Sequence, residues 1–386
     1  MGEEKEKEYE YGIEVNKDYC GTCRVCSSIC PFDALRYIEE EEKKEMVLEI
    51  ERCQMCGICY SSCPAAAIRY VYYDLGSLEK YIEVREGGTL VITCKGSTPT
   101  IAEIKEITGL SESEFIPLVL PCVGRVHPEF ILKAIALGKK VVLLPCEEDY
   151  CRFEEGSRLL TRKVALLKAL LKMFGYDPEI VTLERKSIKV DFNRYKCIGC
   201  GNCEAFCPYD SAHLVSPRMA DFELDKCKGC GICMVVCPAH AVELKNWEHE
   251  QISSLVHEIA SGVKTKVIVF CCQWSEFASL DEMLQHPLPE GVRLIPLPCA
   301  GRTDPLHILQ ALREGIPGVM ITACPEEECK LEEGSKTAMY YVMEDLIEKL
   351  AQIGLENKVY ICHTSPKYIG QFDKELQSFM ERIGGT

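Results

Sequence analysis

The run Cys20-Gly-Thr-Cys23-Arg-Val-Cys26-Ser-Ser-Ile-Cys30-Pro31 constrains this chain more than any other stretch. It is answered by Cys53-Gln-Met-Cys56-Gly-Ile-Cys59-Tyr-Ser-Ser-Cys63-Pro64, and both read C-x-x-C-x-x-C-x-x-x-C-P. At that spacing three thiolates of one tight loop grip a [4Fe–4S] cube, while the fourth cysteine crosses to the neighbouring cube. The pair returns as Cys197, Cys200, Cys203, Cys207-Pro208 and Cys227, Cys230, Cys233, Cys237-Pro238. Crossing ligation then predicts four cubane sites: Cys20, Cys23, Cys26 and Cys63; Cys53, Cys56, Cys59 and Cys30; Cys197, Cys200, Cys203 and Cys237; Cys227, Cys230, Cys233 and Cys207. Structural zinc also uses C-x-x-C, but four ligands close a zinc site, which leaves the third cysteine and the trailing C-P without a purpose.

The chain carries 26 cysteines in 386 residues. Disulfides would account for them in a small secreted protein, yet Met1-Gly-Glu-Glu-Lys-Glu-Lys-Glu8 has no apolar leader, so metal is expected. The most apolar window, Val164 to Phe174, contains Lys168 and Lys172 and does not read as a membrane span. A soluble, cytoplasmic chain is expected. Its net charge of −16, without a basic patch, excludes a nucleic-acid partner. The acidic run Glu39 to Glu45 reads as a solvated loop or hairpin tip between two cysteine motifs.

A repeat spans the chain. Shifting the first half by about 177 positions lays Cys20 on Cys197 and Cys122 on Cys299. The match includes Pro121-Cys122-Val-Gly-Arg125 against Pro298-Cys299-Ala-Gly-Arg302, Cys146 and Cys151 against Cys324 and Cys329, and Glu154-Glu-Gly-Ser157 against Glu332-Glu-Gly-Ser335. The expected fold is therefore mixed α+β and α/β, a tandem duplication in which two ferredoxin-like modules alternate with two small parallel-sheet modules. The boundaries read as 1–75, 76–185, 186–246 and 247–386.

In the second module of each half, strands alternate with helices. Thr89–Cys94, Phe115–Cys122, Lys140–Cys146 and Glu179–Leu183 read as strands, with helices from Pro128 to Leu137 and from Arg158 to Phe174. Val267–Cys272, Arg293–Cys299, Val319–Cys324 and Lys358–Cys362 repeat the pattern. Continuous apolar strands joined by helices imply a parallel sheet covered on both faces. Ligands of such sheets sit at the carboxyl ends of the strands. Cys94, Cys122 and Cys146 should therefore converge, with Cys151 returned by its loop, as should Cys272, Cys299, Cys324 and Cys329. Buried free cysteines are common, but four at matching strand ends in each half point to metal, and a [2Fe–2S] cluster suits four thiolates in this company. Arg125 and Arg302 either donate to cluster sulfur or pair with surface carboxylates. His127, His363 and Cys362 are assigned no role in ligation. The abundant carboxylates should lower the cluster potentials.

The segments Phe270-Cys-Cys-Gln-Trp274, Cys299-Ala-Gly-Arg-Thr-Asp-Pro-Leu-His-Ile-Leu and Ala323-Cys-Pro-Glu-Glu-Glu-Cys329 resemble the delta subunit of methyl-viologen-reducing hydrogenase. The resemblance covers residues 265–345 well and 88–165 more loosely; the cysteine-rich modules resemble bacterial ferredoxins with two cubanes. It implies a [2Fe–2S] cluster and electron passage between a catalytic oxidoreductase, such as a hydrogenase or formate dehydrogenase, and a flavin-containing subunit. Where that family often has a further cysteine after Trp274, this chain has Ser275, and Ser97 takes the matching place if Cys94 pairs with Cys272. This favours Cys272 over Cys271 without deciding between them. The expected function is that of an electron-transfer component in a larger redox complex. An oxidoreductase with its own substrate or flavin site is the alternative, but the chain shows no strand-linked G-x-G-x-x-G and no P-loop. A DNA-binding redox sensor would need a recognition element that the sequence does not show.

Overall fold

A computed structural model describes residues 11–40, 43–71, 73–97, 101–262, 264–276, 288–331, 336 and 345–384. The charged start, residues 1–8, and the second Glu-Glu-Gly-Ser segment, residues 332–335, lie outside the described residues.

The first cysteine-rich region contains β1 (Ile13–Val15), β2 (Leu35–Glu40), β3 (Lys43–Leu48) and β4 (Ile68–Tyr70). β1 pairs with β4 and β2 with β3, both antiparallel. The described ends of the acidic run lie on β2 and β3, where Glu39 pairs with Lys44 at 2.7 Å, and residues 41–42 lie outside the described residues. The helix Leu75–Glu83 then leads away, its start capped by Asp74, whose carboxylate accepts from the Ser77 N–H.

β5 (Thr89–Cys94), β6 (Phe115–Leu120), β7 (Lys140–Leu144) and β8 (Val181–Leu183) form a parallel sheet in the order β6-β5-β7-β8. Parallel neighbours require crossovers, here containing the helices Ile101–Thr108, Pro128–Ala136 and Gly156–Met173. His127 caps the second of these by accepting from the Glu129 N–H, which gives that histidine a structural role. All six residues of β5 are buried, as befits a central strand of apolar run.

The second half repeats the order. β9 (Val190–Phe192), β10 (Ala212–Ser216), β11 (Met219–Phe222) and β12 (Val242–Leu244) make two antiparallel pairs. β13 (Val267–Cys272), β14 (Val292–Leu297), β15 (Gly318–Ala323) and β16 (Val359–His363) form a parallel sheet ordered β14-β13-β15-β16. A last helix, Gln371–Gly384, packs Phe372, Leu376 and Phe379 against it. Among the described residues no helix is long and apolar enough to cross a membrane.

Glu276 fixes the start of that helix. At 2% exposure it accepts from the N–H groups of Gly370 and Phe372. Burial outweighs these bonds and pushes its carboxyl from 4.5 up to about 7. The folded chain therefore binds a proton that the unfolded chain releases, and the associated stability is full below pH 4.5 and lost as pH rises through 7. Between about pH 5 and 8 the loss should approach about 3 kcal/mol. Thermal melts across that range should show it, and Glu276→Gln should flatten the profile.

Candidate metal centres

The structure gathers the ferredoxin-like cysteines in four groups. Cys20, Cys23, Cys26 and Cys63 line one cavity of about 340 Å³, and Cys30, Cys53, Cys56 and Cys59 a second of the same size. Cys197, Cys200, Cys203 and Cys237 line a third, of about 320 Å³, and Cys207, Cys227, Cys230 and Cys233 a fourth. In every case the fourth cysteine comes from the other motif of the pair. The sulfurs ring each cavity instead of meeting at a point: among the described residues no three or more His, Cys, Asp or Glu side chains are arranged to hold a single metal ion.

One backbone shape recurs in all four loops. The residues on either side of the second cysteine have positive φ: Thr22 and Arg24, Met55 and Gly57, Gly199 and Gly201, Gly229 and Gly231. So do Asp33, Ala66, Asp210 and His240, each three residues beyond the fourth cysteine. Glycine at Gly21 takes no such angle; the left-handed position falls on Thr22. This conformation costs non-glycine residues free energy, and its fourfold use marks a functional constraint. The turn after each C-P brings a backbone N–H onto the fourth sulfur: Ala34 on Cys30 (3.4 Å), Ala67 on Cys63 (3.3 Å), Ser211 on Cys207 (3.4 Å) and Ala241 on Cys237 (3.3 Å).

These pockets fit iron–sulfur cubes. Burial pushes the Cys56 and Cys230 thiols up to about 12 and the Cys203 thiol up to about 11. Sulfur binds iron as thiolate, so iron itself must supply the positive charge that ionises them. Cys23 and Cys200 are exposed, whereas Cys53, Cys56, Cys59, Cys227 and Cys230 are buried. Each ferredoxin-like region therefore has an outer and an inner site.

In the first parallel-sheet module, Cys94 ends β5, and Cys122 and Cys146 lie just beyond β6 and β7. The Cys146 N–H donates to Cys94 Sγ at 3.3 Å. The Cys122 thiol donates to Cys151 and is pushed up, while Cys151, accepting from Cys122 and Cys146, is held down to about 3. A Cβ on Gly156 would sit 2.3 Å from Cys122 Sγ and 3.4 Å from Cys151 Sγ, so only glycine fits there. In the second module Cys324 bonds to both Cys272 and Cys329, and the buried Cys299 faces the same pair electrostatically. Both predicted foursomes are brought together, and their donors suit a small iron–sulfur cluster.

Cys271 takes no part. Neighbours on a strand point to opposite faces, and Cys271 packs with Cys362, Phe372 and Phe379 beneath the last helix while Cys272 joins the site. Cys362 is likewise away from the sulfurs, and His363 is exposed.

Docking of the modules buries both Arg125 and Arg302. Arg125 lies against Gly57, its guanidinium 4.0 Å from the centre of the Tyr70 ring. Arg302 lies against Gly231 and donates to the Trp247 carbonyl at 2.7 and 3.2 Å. Its Nη1 is buried with no partner among the described residues.

The fold also brings in cations that the sequence does not announce. Lys367 is buried and Lys330 and Lys163 are part-buried, all beside the inner sites, and the buried Lys95 lies between the two parallel-sheet sites. Burial pulls the Lys163 ammonium down to about 8. Buried cations thus stand together with carboxylates such as Glu328 near the inner sulfurs, and both bear on the potentials. The sequence cue is adjacency: Lys95 and Lys330 each follow a site cysteine. A cluster of His240, His249, His307 and Asp304 has no such cue; His249 Nδ1 lies 3.2 Å from Asp304, and its ring centre 4.3 Å from that of His240, three residues past Cys237.

Comparison with known proteins agrees with this division. The family model of the methyl-viologen-reducing hydrogenase delta subunit matches residues 89–193 and 267–385, together more than half of the chain. The chain belongs to this family. Between and before its two delta-subunit regions, models of 4Fe-4S dicluster domains match residues 5–67 and 191–244. The chain is therefore an iron–sulfur protein with an electron-transfer role. Over 168 residues it is 39% identical to a component of the ferredoxin:CoB-CoM heterodisulfide reductase of Methanosarcina mazei, spanning 42% of this chain and 21% of that one. It is 32% identical over 119 residues to the iron-sulfur subunit of the vhu F420-non-reducing hydrogenase of Methanopyrus kandleri, spanning 30% of this chain and 89% of the relative. The vhc counterpart from Methanococcus voltae is 30% identical over 102 residues, or 26% and 70%. The chain spans only 21% and 25% of the two heterodisulfide reductase components that it matches.

Proposed function

We propose that the chain is a one-electron relay within a cytoplasmic redox complex, passing electrons between a catalytic oxidoreductase partner and a flavin-containing one. Four [4Fe–4S] clusters are held by the four cavity-lining groups named above. Two [2Fe–2S] clusters are held by Cys94, Cys122, Cys146 and Cys151 and by Cys272, Cys299, Cys324 and Cys329. The chain is read as a tandem duplication with modules at 1–75, 76–185, 186–246 and 247–386. The same strand order in both sheets and the two delta-subunit matches support that reading.

The observation that carries the proposal is the crossed set of four cysteines around each of four cavities. Iron gives each cavity a reversible one-electron couple whose potential the surrounding N–H groups and cations adjust. The two outer sites differ in their surroundings: near Cys200 stand the exposed Tyr195, Ile198, Leu214 and Val215, whereas near Cys23 stand Arg24, Glu39 and Lys44. Two chemically different faces favour two different partners. That the relatives are named as subunits of heterodisulfide reductases and hydrogenases supports the same role.

Anaerobically purified protein should hold about 20 irons per chain, with both cluster types visible by electron paramagnetic resonance on reduction. About 16 irons with cubane signals alone would remove the [2Fe–2S] assignment.

A further inference from the structure

Each parallel-sheet site touches two inner cysteine loops, one from each half of the chain. The first site meets its own half through the Cys122 turn: Gly57 abuts Arg125, and Ser61 Oγ donates to the Gly124 carbonyl at 3.2 Å. It meets the other half through the Cys146–Cys151 loop. There Arg152 donates to the Lys228 carbonyl, Lys228 Nζ donates to the Asp149 carbonyl at 3.1 Å, and Tyr150 Oη closes on Gly229. Lys228 and Gly229 lie between Cys227 and Cys230.

The second site makes the mirrored pair of contacts. Gly231 abuts Arg302, and Cys299, Cys230, Ile232 and Leu331 share one apolar cluster within that half. Across the halves, Lys330 Nζ donates to Gln54 Oε1, and Lys367 Nζ bridges Glu328 at 3.1 Å and the Glu51 carbonyl at 2.8 Å. Gln54 lies between Cys53 and Cys56, where Lys228 lies in the other half. Arg152 and Lys330 each follow the fourth cysteine of their site, so the two clamps are equivalent. Between the two parallel-sheet sites, Lys95 Nζ donates to the Gln273 carbonyl and Gln273 Nε2 returns a bond to the Lys95 carbonyl at 3.1 Å. Lys95 and Gln273 each follow the cysteine that ends the first strand of their sheet.

We infer that the two inner cysteine sites and the two parallel-sheet sites close a ring, in which each parallel-sheet site is clamped between the inner loops of both halves and the two exposed outer sites hang from opposite sides. This rests on the cluster assignment proposed above. A chain of two consecutive halves would offer one route from outer site to outer site; a ring offers two, and loss of either parallel-sheet site leaves the outer pair connected. Only electrons move, one at a time, from a reduced one-electron carrier docked at one outer site to an oxidised one at the other. No bond forms or breaks.

The test uses the full reduced chain and microwave power saturation of its [2Fe–2S] signals, since a paramagnetic neighbour speeds their spin relaxation. Removing one inner cubane with Cys56→Ser and Cys59→Ser should lower the half-saturation power of both [2Fe–2S] signals severalfold, and Cys230→Ser with Cys233→Ser should do the same. If either removal alters only one of the two signals, the ring is wrong. Hydrogen exchange supplies an arm that needs no spectrum: Arg152→Ala should raise exchange in residues 227–231, and Lys330→Ala in residues 53–57, each across the halves. Unchanged exchange there also overturns the ring. A wild-type chain with no [2Fe–2S] signal sinks the cluster assignment instead, and the exchange arm still decides the ring.

Discussion

Anaerobic removal of iron and sulfide should unfold residues 11–71 and 190–244 while both four-stranded sheets keep their amide protection. The ferredoxin-like regions hold only two-stranded antiparallel pairs among the described residues, and such pairs are marginal in water by themselves. Much of what they bury is cysteine: Cys26, Cys53, Cys56 and Cys59 in the first, Cys203, Cys227 and Cys230 in the second. Emptied, each would surround two thiol-lined pockets with nothing to fill them. A ring of thiols around an unfilled pocket has no partner atoms on its inner side and contributes little packing of its own. The cluster is thus the core of these modules, and its binding energy is their folding energy. The sheets differ, because β5 and β13 are buried along their full length by apolar neighbours. Hydrogen exchange on holo and stripped protein, read by mass spectrometry, reports both regions together. Equal protection of residues 11–71 in the two samples would mean that the polypeptide holds these loops unaided.

The centres were legible because their signals are local. A C-x-x-C-x-x-C loop wraps its cluster within seven residues, and a cysteine closing an apolar run marks the carboxyl end of a strand whatever surrounds it. Strand periodicity also separates Cys271 from Cys272, although only the docked helix of residues 371–384 shows which face was left for Cys271. What depends on module against module was not legible. The sequence leaves open whether Arg125 and Arg302 donate to cluster sulfur or pair with surface carboxylates, and only the fold shows that Gly57 and Gly231 admit them. The clamps of Arg152 on Lys228 and Lys330 on Gln54 join residues 76 and 276 positions apart and have no periodic signature. Nor can composition say that Lys95 and Lys367 are among the buried residues. Nor does a preference for glycine foresee that Thr22 and Met55 adopt positive φ, which the cluster loop imposes regardless of side chain.

Arg302→Met should lower the reduction potential of the cubane proposed at Cys207, Cys227, Cys230 and Cys233 by about 60 mV or more. Arg302 is 0% exposed, two of its nitrogens are held by the Trp247 carbonyl, and Nη1 is left buried without a partner among the described residues. A guanidinium is kept in such a place only where negative charge meets it. The charges around it include Asp304, Glu243 and the Cys233 sulfur, and Gly231 lets its stem pass at 2.8 Å from where a Cβ would stand. Reduction adds an electron to the cluster, so a nearby cation and an N–H to sulfur favour the reduced form and raise the potential. A charge-assisted hydrogen bond is worth about 1.5–3 kcal/mol. With about 59 mV for each 1.4 kcal/mol in a one-electron couple, its loss corresponds to roughly 60–130 mV. Methionine fills a similar volume, so the fold should survive and the iron content should not change. Arg302→Lys keeps the charge but loses the fork that holds the Trp247 carbonyl and leaves Nη1 free to donate elsewhere, and should fall between the two. Redox titration followed by electron paramagnetic resonance measures the shift. Full iron content with an unmoved potential in Arg302→Met would reduce this arginine to a packing element between Gly231 and Trp247.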